Sequence, residues 1–431
     1  MQRVRMVLPY LRETGWECEV LAVHPQQVAA PCDPWLEKGL PADVRVYRVR
    51  ALGFGWGKIP GLGSLAFRAL PRLRSAGDRL LRERKFDLAY FSTTQFGVHS
   101  LGARWWRKFA TPFAMDYQDP WVNDYYRLNP GMTPPGGRLK YGIADLINRW
   151  MEPKVLRRCR GITTVSEQYG RQLRTRYPFL QDLLPVAVLP FPCDATDLRR
   201  VEKDGVRQDV FAPHDGHIHW VYIGRGGPDM TKAARSIFLA LAEFCRTTPK
   251  QAEPIRLHFI GTSYAGAGRG VKTIEPLAED YGVKHKVAEH TDRIAYSQTL
   301  RCLLDADALI VPGSDDPAYT ASKIYPYLLA GKPLLAVFHE NSSVVELLRK
   351  VGGGVVVPFQ TGDLPQNMAG RIIKEWFESR AWSNTVPLDD TAFEPFTAKA
   401  QAKKLSEFFE DCMAIDRRRS AHISKQHTSC T

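Results

Sequence analysis

The sequence predicts an α/β protein built from two doubly wound parallel sheets. Three observations carry this expectation. Short apolar runs alternate with amphipathic helical stretches along the whole chain, as they do where parallel strands are joined by helical crossovers. The 431 residues exceed what one simple core holds, so two domains of roughly 200 residues are expected. A polar connector at 197–216 separates two such alternating series.

Taken in order, the first series offers strands at 19–23, 44–47, 88–91, 112–115, 162–165 and 186–189. The second offers strands at 219–223, 257–260, 308–311, 334–337 and 354–357. Helical periodicity is clear at 231–247 and 295–304, and a long helix is expected at 393–412. The predicted organisation is an N-terminal domain at 1–197 and a second domain at 198–375. Helices at 376–416 pack back on the domains, and a basic, polar tail at 417–431 is disordered.

Composition narrows the function. The chain carries 59 Lys and Arg against 46 Asp and Glu, a net charge of +13, which suits anionic partners. No nucleic-acid-binding motif surrounds these cations, so nucleic acid is not an expected partner. The 8 cysteines stand singly with no CxxC spacing, so neither a zinc site nor a disulfide framework is indicated. A reducing cytoplasm is the expected compartment. The first nine residues contain no signal-peptide core, and no apolar run is long enough to span a bilayer. Asp305 and Asp307 precede a strand, a poor context for a metal site, and no metal is expected.

Two segments stand out. Around 319–333, a polar loop after an apolar run opens onto a helix that Ser322 can cap and Gly331 can end. Ser322 and Lys323 in its first turn would offer a phosphate a hydroxyl, an ammonium and free backbone N–H groups. From Ala51 to Lys85, glycine-spaced apolar residues precede a helix with Arg68, Arg72, Arg74, Arg79, Arg82, Arg84 and Lys85. This segment is expected to lie against an anionic membrane surface as a peripheral contact.

Four segments give the chain a resemblance. They are 2–6 with 15–23, Pro112–Trp121 (PFAMDYQDPW), Ile162–Glu167 (ITTVSE) and Ser322–Pro333 (SKIYPYLLAGKP). In this order and spacing they resemble the bacterial glycosyltransferases of family four, in the branch acting on cell-surface polysaccharides. That resemblance implies the GT-B fold of two facing Rossmann-like domains. It also implies retaining, metal-independent transfer of a sugar from a nucleotide sugar to a lipid-linked or polysaccharide acceptor.

The resemblance assigns the site as follows. Gly224, Arg225 and Lys232 would meet the donor diphosphate, together with Ser322 and Lys323, and Tyr319 would also bind the donor. Glu289 and Arg293, in a loop after a strand, would border the base. Asp119, just beyond a strand end, would accept the proton of the attacking hydroxyl, with Asp116 a weaker rival, and His99 would contact acceptor or donor phosphate. Three departures follow from the same comparison. The two glutamates of the donor helix are replaced by Ala318 and Pro326, for which Asp315, Asp316 and Tyr319 are candidate substitutes. The usual Pro-Asn-Gly-x-Asp turn reads Pro190–Asp194. The family's first strand and its Gly-Gly loop have no counterpart before residue 2, and the expectation is that they are encoded upstream of Met1. A non-catalytic GT-B relative or assembly partner is the alternative expectation.

Overall fold

Parallel strand pairing organises both halves of the chain. The computed structural model describes residues 2–28, 33–53, 64–124, 127, 137–180, 184–265, 268–317, 319 and 321–428, without the side chains of 2 and 419–428. The chain divides into two units. Unit 1 is Met1–Ala30, Leu40–Pro192 and Ala398–Thr431; unit 2 is Pro31–Gly39 and Cys193–Thr397.

In unit 1, among the described residues, β1 (Glu19–Val23) pairs only with β2 (Arg45–Val49), in parallel. A separate four-stranded sheet runs β3 (Ala89–Ser92), β4 (Phe113–Tyr117), β5 (Gly161–Thr164) and β6 (Val186–Val188), all parallel. No described strand joins β1 to β3. The helices α1 (Gln2–Leu11), α2 (Leu65–Glu83), α3 (Ser100–Phe109), α4 (Arg138–Leu156) and α5 (Glu167–Arg176) connect or cover these strands. Ser64 starts α2 by accepting a hydrogen bond from the Phe67 N–H, and Ser166 does the same for α5 through Tyr169. A buried pair, Arg3 Nε with Asp116 Oδ2 at 2.9 Å, ties α1 to β4. Asp116 also accepts from Ser92 on β3, Thr163 on β5 and Gln118, so one carboxylate joins three strand ends.

In unit 2, the sheet order is β12-β11-β10-β7-β8-β9, all parallel. The strands are β7 (Ile218–Ile223), β8 (Ile255–Ile260), β9 (Val287–His290), β10 (Ala308–Pro312), β11 (Leu334–His339) and β12 (Val355–Phe359). The chain order reverses between β7 and β10. In a doubly wound sheet that switch point is where adjacent loops diverge and leave room for a ligand. Helices α6 (Ala195–Lys203), α7 (Thr231–Thr247), α8 (Glu275–Glu279), α9 (Tyr296–Asp305) and α10 (Ile324–Leu329) precede or flank these strands.

The structure departs from the expected organisation in several places. Residues 33–39 belong with unit 2, because Trp35 is buried there, its indole N–H donates to Asp204, and Asp33 accepts from the Ser297 N–H. The start of the polar connector is helix α6, with Leu198 and Val201 in the core of unit 2. Strand β9 was not anticipated, since its four residues mix apolar with charged side chains. The helix expected at 393–412 is interrupted, and its continuous part is Ala398–Thr428, in unit 1. Gly161 lets that helix approach β5: a Cβ there would lie 2.4 Å from Cys412 Sγ. The helix runs into the stretch expected to be disordered as far as Thr428, with no Gly or Pro to break it; residues 429–431 lie outside the described residues.

The segment 51–85, expected to lie against a membrane, is described only in part. Residues 54–63, which hold its most aromatic part, lie outside the described residues. Helix α2 packs Ala66, Ala69, Leu73 and Leu80 inward and turns Arg72, Arg74, Arg79 and Arg82 outward. Arg68 is buried and donates to the Leu52 carbonyl, and Arg84 pairs with Glu19. The described part of the segment is therefore a basic surface whose apolar side is already spent in the core.

Candidate functional site

At the unit 2 switch point, β7 leads into Gly224 and Arg225, and β10 leads into Gly313 and Ser314. The Arg225 guanidinium grips both oxygens of Asp229, at 2.7 and 2.5 Å, and lies 4.9 Å from the Tyr319 ring centre. Asp229 also accepts from the Ser314 hydroxyl at 2.6 Å. Burial disfavours its charge, but the hydrogen bonds from Arg225 and Ser314 outweigh that and hold it below the ordinary carboxylate range. Arg225 is thus fixed in place by a carboxylate that itself belongs to the β10 loop network.

Lys323 reaches the same place. Its ammonium donates to the Tyr222 hydroxyl at 2.6 Å, and that hydroxyl donates to the Arg225 carbonyl at 2.8 Å. No carboxylate pairs with Lys323 among the described residues. Burial, then the charges of Arg225 and Arg293, lower its pKa from 10.5 to about 7. Gly224 leaves the space the ammonium fills, since a Cβ there would stand 1.9 Å from Nζ. Arg293 completes the group and lies 4.2 Å from the Tyr264 ring centre. Three cations and three tyrosines, Tyr222, Tyr264 and Tyr319, therefore converge, and among the described residues only one carboxylate, Asp229, forms an ion pair with any of the three cations. Such a cluster is suited to an anion of more than one charge.

Other expected donor residues are placed differently. Lys232 is in the first turn of α7, where its ammonium donates to the Thr361 carbonyl and lies 5.7 Å from the Phe359 ring centre. Glu289 is within β9, not in the following loop, and it is buried. Its oxygens accept from the Thr262 hydroxyl and from the N–H groups of Thr273, Ile274 and Glu275, which satisfies the start of α8 and leaves no free lone pair directed at a base. Ser322 does not cap α10: it is exposed, the helix begins at Ile324 after Lys323, and no side chain caps it. Ala318 lies outside the described residues. Pro326 is inside α10, whose neighbour Tyr327 bonds to the Ile223 backbone from both sides. Burial and the charge of Asp229 raise the pKa of Asp315.

In unit 1, Asp119 is exposed just beyond β4, and partial burial of its carboxyl raises its pKa. The loop that carries it is anchored: Tyr117 donates to Glu152, and Trp121 donates to Asn148, both on α4. Asp116 is fully buried and fully engaged by Arg3, Ser92, Gln118 and Thr163, so it is a framework residue. His99 is also fully buried, among Phe91, Phe96 and Trp121. Burial lowers its pKa to about 4. A neutral histidine enclosed by aromatic rings does not reach a phosphate, contrary to the expectation for it.

The sequence reading missed Tyr222, Tyr264, Asp229 and Ser314. Asp229 stands four residues after Arg225, an ion-pair spacing that was readable. The tyrosines carried no such signal: Tyr222 lies near a strand end, where an aromatic is usually core, and Tyr264 is an exposed loop residue.

Comparison with solved structures settles the architecture. HepE of Anabaena, in complex with UDP and glucose, superposes with a TM-score of 0.51 at 15% identity, over 95% of this chain and 100% of that one. The UDP-forming α,α-trehalose-phosphate synthase of Burkholderia xenovorans gives 0.51 at 13%, over 97% and 95%. The N-terminal domain of Candida albicans trehalose-6-phosphate phosphatase gives 0.55 at 12%, over 96% and 92%. The fold is GT-B. Within this GT-B chain, residues 2–192 match the family model described as a glycosyl transferase 4-like domain. That stretch ends at Pro192, where the second segment of unit 1 also ends. No curated protein matches the sequence. Among the described residues of the GT-B chain, no three His, Cys, Asp or Glu side chains are grouped to hold a metal ion, and no helix is long and apolar enough to cross a membrane.

Proposed function

We propose that this protein is a glycosyltransferase that moves a sugar from a nucleotide sugar to a lipid-linked or polysaccharide acceptor, with retention and without a metal. One observation carries the reading: Arg225, Lys323 and Arg293 converge at the switch point, and among the described residues only Asp229 forms an ion pair with any of them. The leaving group of such a transfer is a nucleoside diphosphate, whose growing negative charge needs this kind of fixed counter-charge. Arg225, held by Asp229, supplies an oriented fork, and Lys323 supplies a point charge that a diphosphate would recharge. Tyr264 and Tyr319 offer ring faces beside these cations for the base or ribose. Asp119, exposed and with a raised pKa, is the candidate to accept the acceptor hydroxyl's proton. Lys232 is a less direct donor ligand, since it must first leave the Thr361 carbonyl. The match of residues 2–192 to a glycosyl transferase 4-like domain supports the same reaction class. Because HepE was solved with UDP and glucose, UDP sugars come first among the donors to test.

The test is a thermal-shift series against UDP, GDP, ADP and dTDP sugars, using the intact chain and its Arg225→Ala and Lys323→Ala variants. Stabilisation by one nucleotide, lost in both variants, supports the donor site. A second reading is a GT-B protein that does not transfer, favoured by Pro326 and by an α10 with no carboxylate. Absence of stabilisation by every nucleotide would select it.

A further inference from the structure

Helix α4 presents an uncovered apolar stripe. Leu139, Ile143, Leu146 and Trp150 are 80%, 38%, 71% and 63% exposed. At about 100° per residue, these four side chains lie within an arc of roughly 60°, over about 16 Å of helix. The opposite side of α4 is fully employed. Glu152 accepts from Tyr117 and Tyr177, Asn148 accepts from Trp121, Arg149 binds Asp124 and Asp145, and Val155 and Leu156 enter the unit 1 core. The stripe is therefore not an inner face turned outward. It is a second apolar face on a helix already anchored by its first, and contiguous exposed apolar surface of this kind marks an interaction site.

The charges say what it meets. Arg138 and Lys140 flank the stripe at one end, and Lys154, Arg157 and Arg158 flank it at the other; all are exposed. The Lys154 ammonium lies 3.3 Å from the Trp150 ring centre, so its stem runs along the apolar surface with its charge at the edge. The only carboxylates on α4 are Asp145, which is paired with Arg149, and buried Glu152. Apolar anchors with a tryptophan, bracketed by cations and free of exposed acid, fit an anionic lipid surface. A second copy fits poorly. Two α4 helices packed antiparallel would set Arg138 and Lys140 against Lys154, Arg157 and Arg158, and a parallel pair would set each cluster against itself.

We infer that the outer face of α4 docks this protein on an anionic membrane, with Leu139, Ile143, Leu146 and Trp150 entering the headgroup layer. The inference does not depend on which sugar is transferred. It names a different element from the basic helix α2, whose apolar side is in the core. Because α4 also anchors the loop carrying Asp119, docking would hold that loop next to the lipid surface, where a lipid-linked acceptor resides.

The experiment is flotation of the full-length protein with vesicles of phosphatidylcholine alone, or with about a third phosphatidylglycerol. The protein is expected to float with the anionic vesicles and much less with the neutral ones, and to be released as salt is raised. The Leu146→Glu/Trp150→Glu double variant is expected to lose about tenfold or more of the binding. Lys140→Glu/Lys154→Glu is expected to lose mainly the part that depends on phosphatidylglycerol. Both alter exposed positions, and unchanged circular dichroism and Tm would verify that they fold. Equal binding by the wild type and the apolar double variant overturns the inference, as does a wild type that floats with neither vesicle. So does a dimer in light scattering that the double variant splits, which would assign the face to a second copy.

Discussion

The Lys323 ammonium lies 2.6 Å from the Tyr222 hydroxyl and 4.3 Å from the centre of the same ring. With Arg225 and Arg293 nearby, its pKa falls from 10.5 to about 7. Between these two values the unfolded chain binds the Lys323 proton and the folded chain largely does not, so this group makes the free protein more stable as pH rises through that window. A bound diphosphate reverses the preference. Nucleoside diphosphate binding above pH 7 should therefore take up a proton, and its affinity should weaken by up to about tenfold per pH unit. Calorimetry in buffers of differing ionisation heat measures the uptake, and Lys323→Met should abolish it. Binding with no proton uptake in the wild type would contradict this role for Lys323.

Arg225 binds Asp229 through two parallel hydrogen bonds, a geometry a lysine cannot reproduce. Arg225→Lys should therefore behave nearly as badly as Arg225→Ala, with about tenfold or greater loss of nucleotide affinity for each. Titration calorimetry with the stabilising nucleotide checks this; full retention in the lysine variant would mean that only charge matters there.

Asp119→Asn separates binding from chemistry. If Asp119 accepts the hydroxyl proton, kcat should drop about 10²- to 10⁴-fold while nucleotide stabilisation stays the same. An unchanged kcat would return Asp119 to a loop-capping role.

His99 should be dispensable for catalysis and a source of acid sensitivity. Its folded pKa of about 4 lies below the ordinary 6.5, so the unfolded chain binds more protons between those values. Stability from the neutral ring is complete above pH 6.5 and declines as pH falls towards 4. His99→Leu should keep activity and lessen the loss of Tm between neutral and mildly acidic pH. A large fall in kcat with Tm unchanged would contradict the buried, neutral assignment.

The Arg3–Asp116 pair predicts a stability effect without a catalytic one. Removing one partner leaves a buried charge uncompensated, so Arg3→Met or Asp116→Leu alone should destabilise by about 3–5 kcal/mol. Replacing both together should cost less than the sum of the two, as urea denaturation would reveal.

The α/β class and most strands were legible because parallel strands buried on both faces read as continuous apolar runs; β10 and β11 are buried throughout. Strand β9 was not, since four residues with Glu289 and His290 carry no periodic signal. In the candidate site, Arg225 and Lys323 could be picked from their places beside a strand end and a helix start. Glu289 could not be judged from sequence, because its duty is to four donors that arrive from 262 and 273–275. The exposed stripe of α4 was equally hidden: 3.6-residue apolar spacing reads the same whether the face is covered or bare.

By itself, then, the sequence determined the alternation of strands and helices, the basic charge and the glycine- and lysine-bearing turns that close β7 and open α10. These are local properties, set by side-chain volume, branching and backbone freedom within a few residues. Only the tertiary structure decided which of the chain's many cations stand together without enough carboxylates, which histidine is sealed among aromatic rings, and that residues 33–39 and 398–428 belong to units away from their sequence neighbours. Those outcomes depend on contacts between residues far apart in the chain, where burial and neighbouring charge, not residue type, fix what a side chain can do.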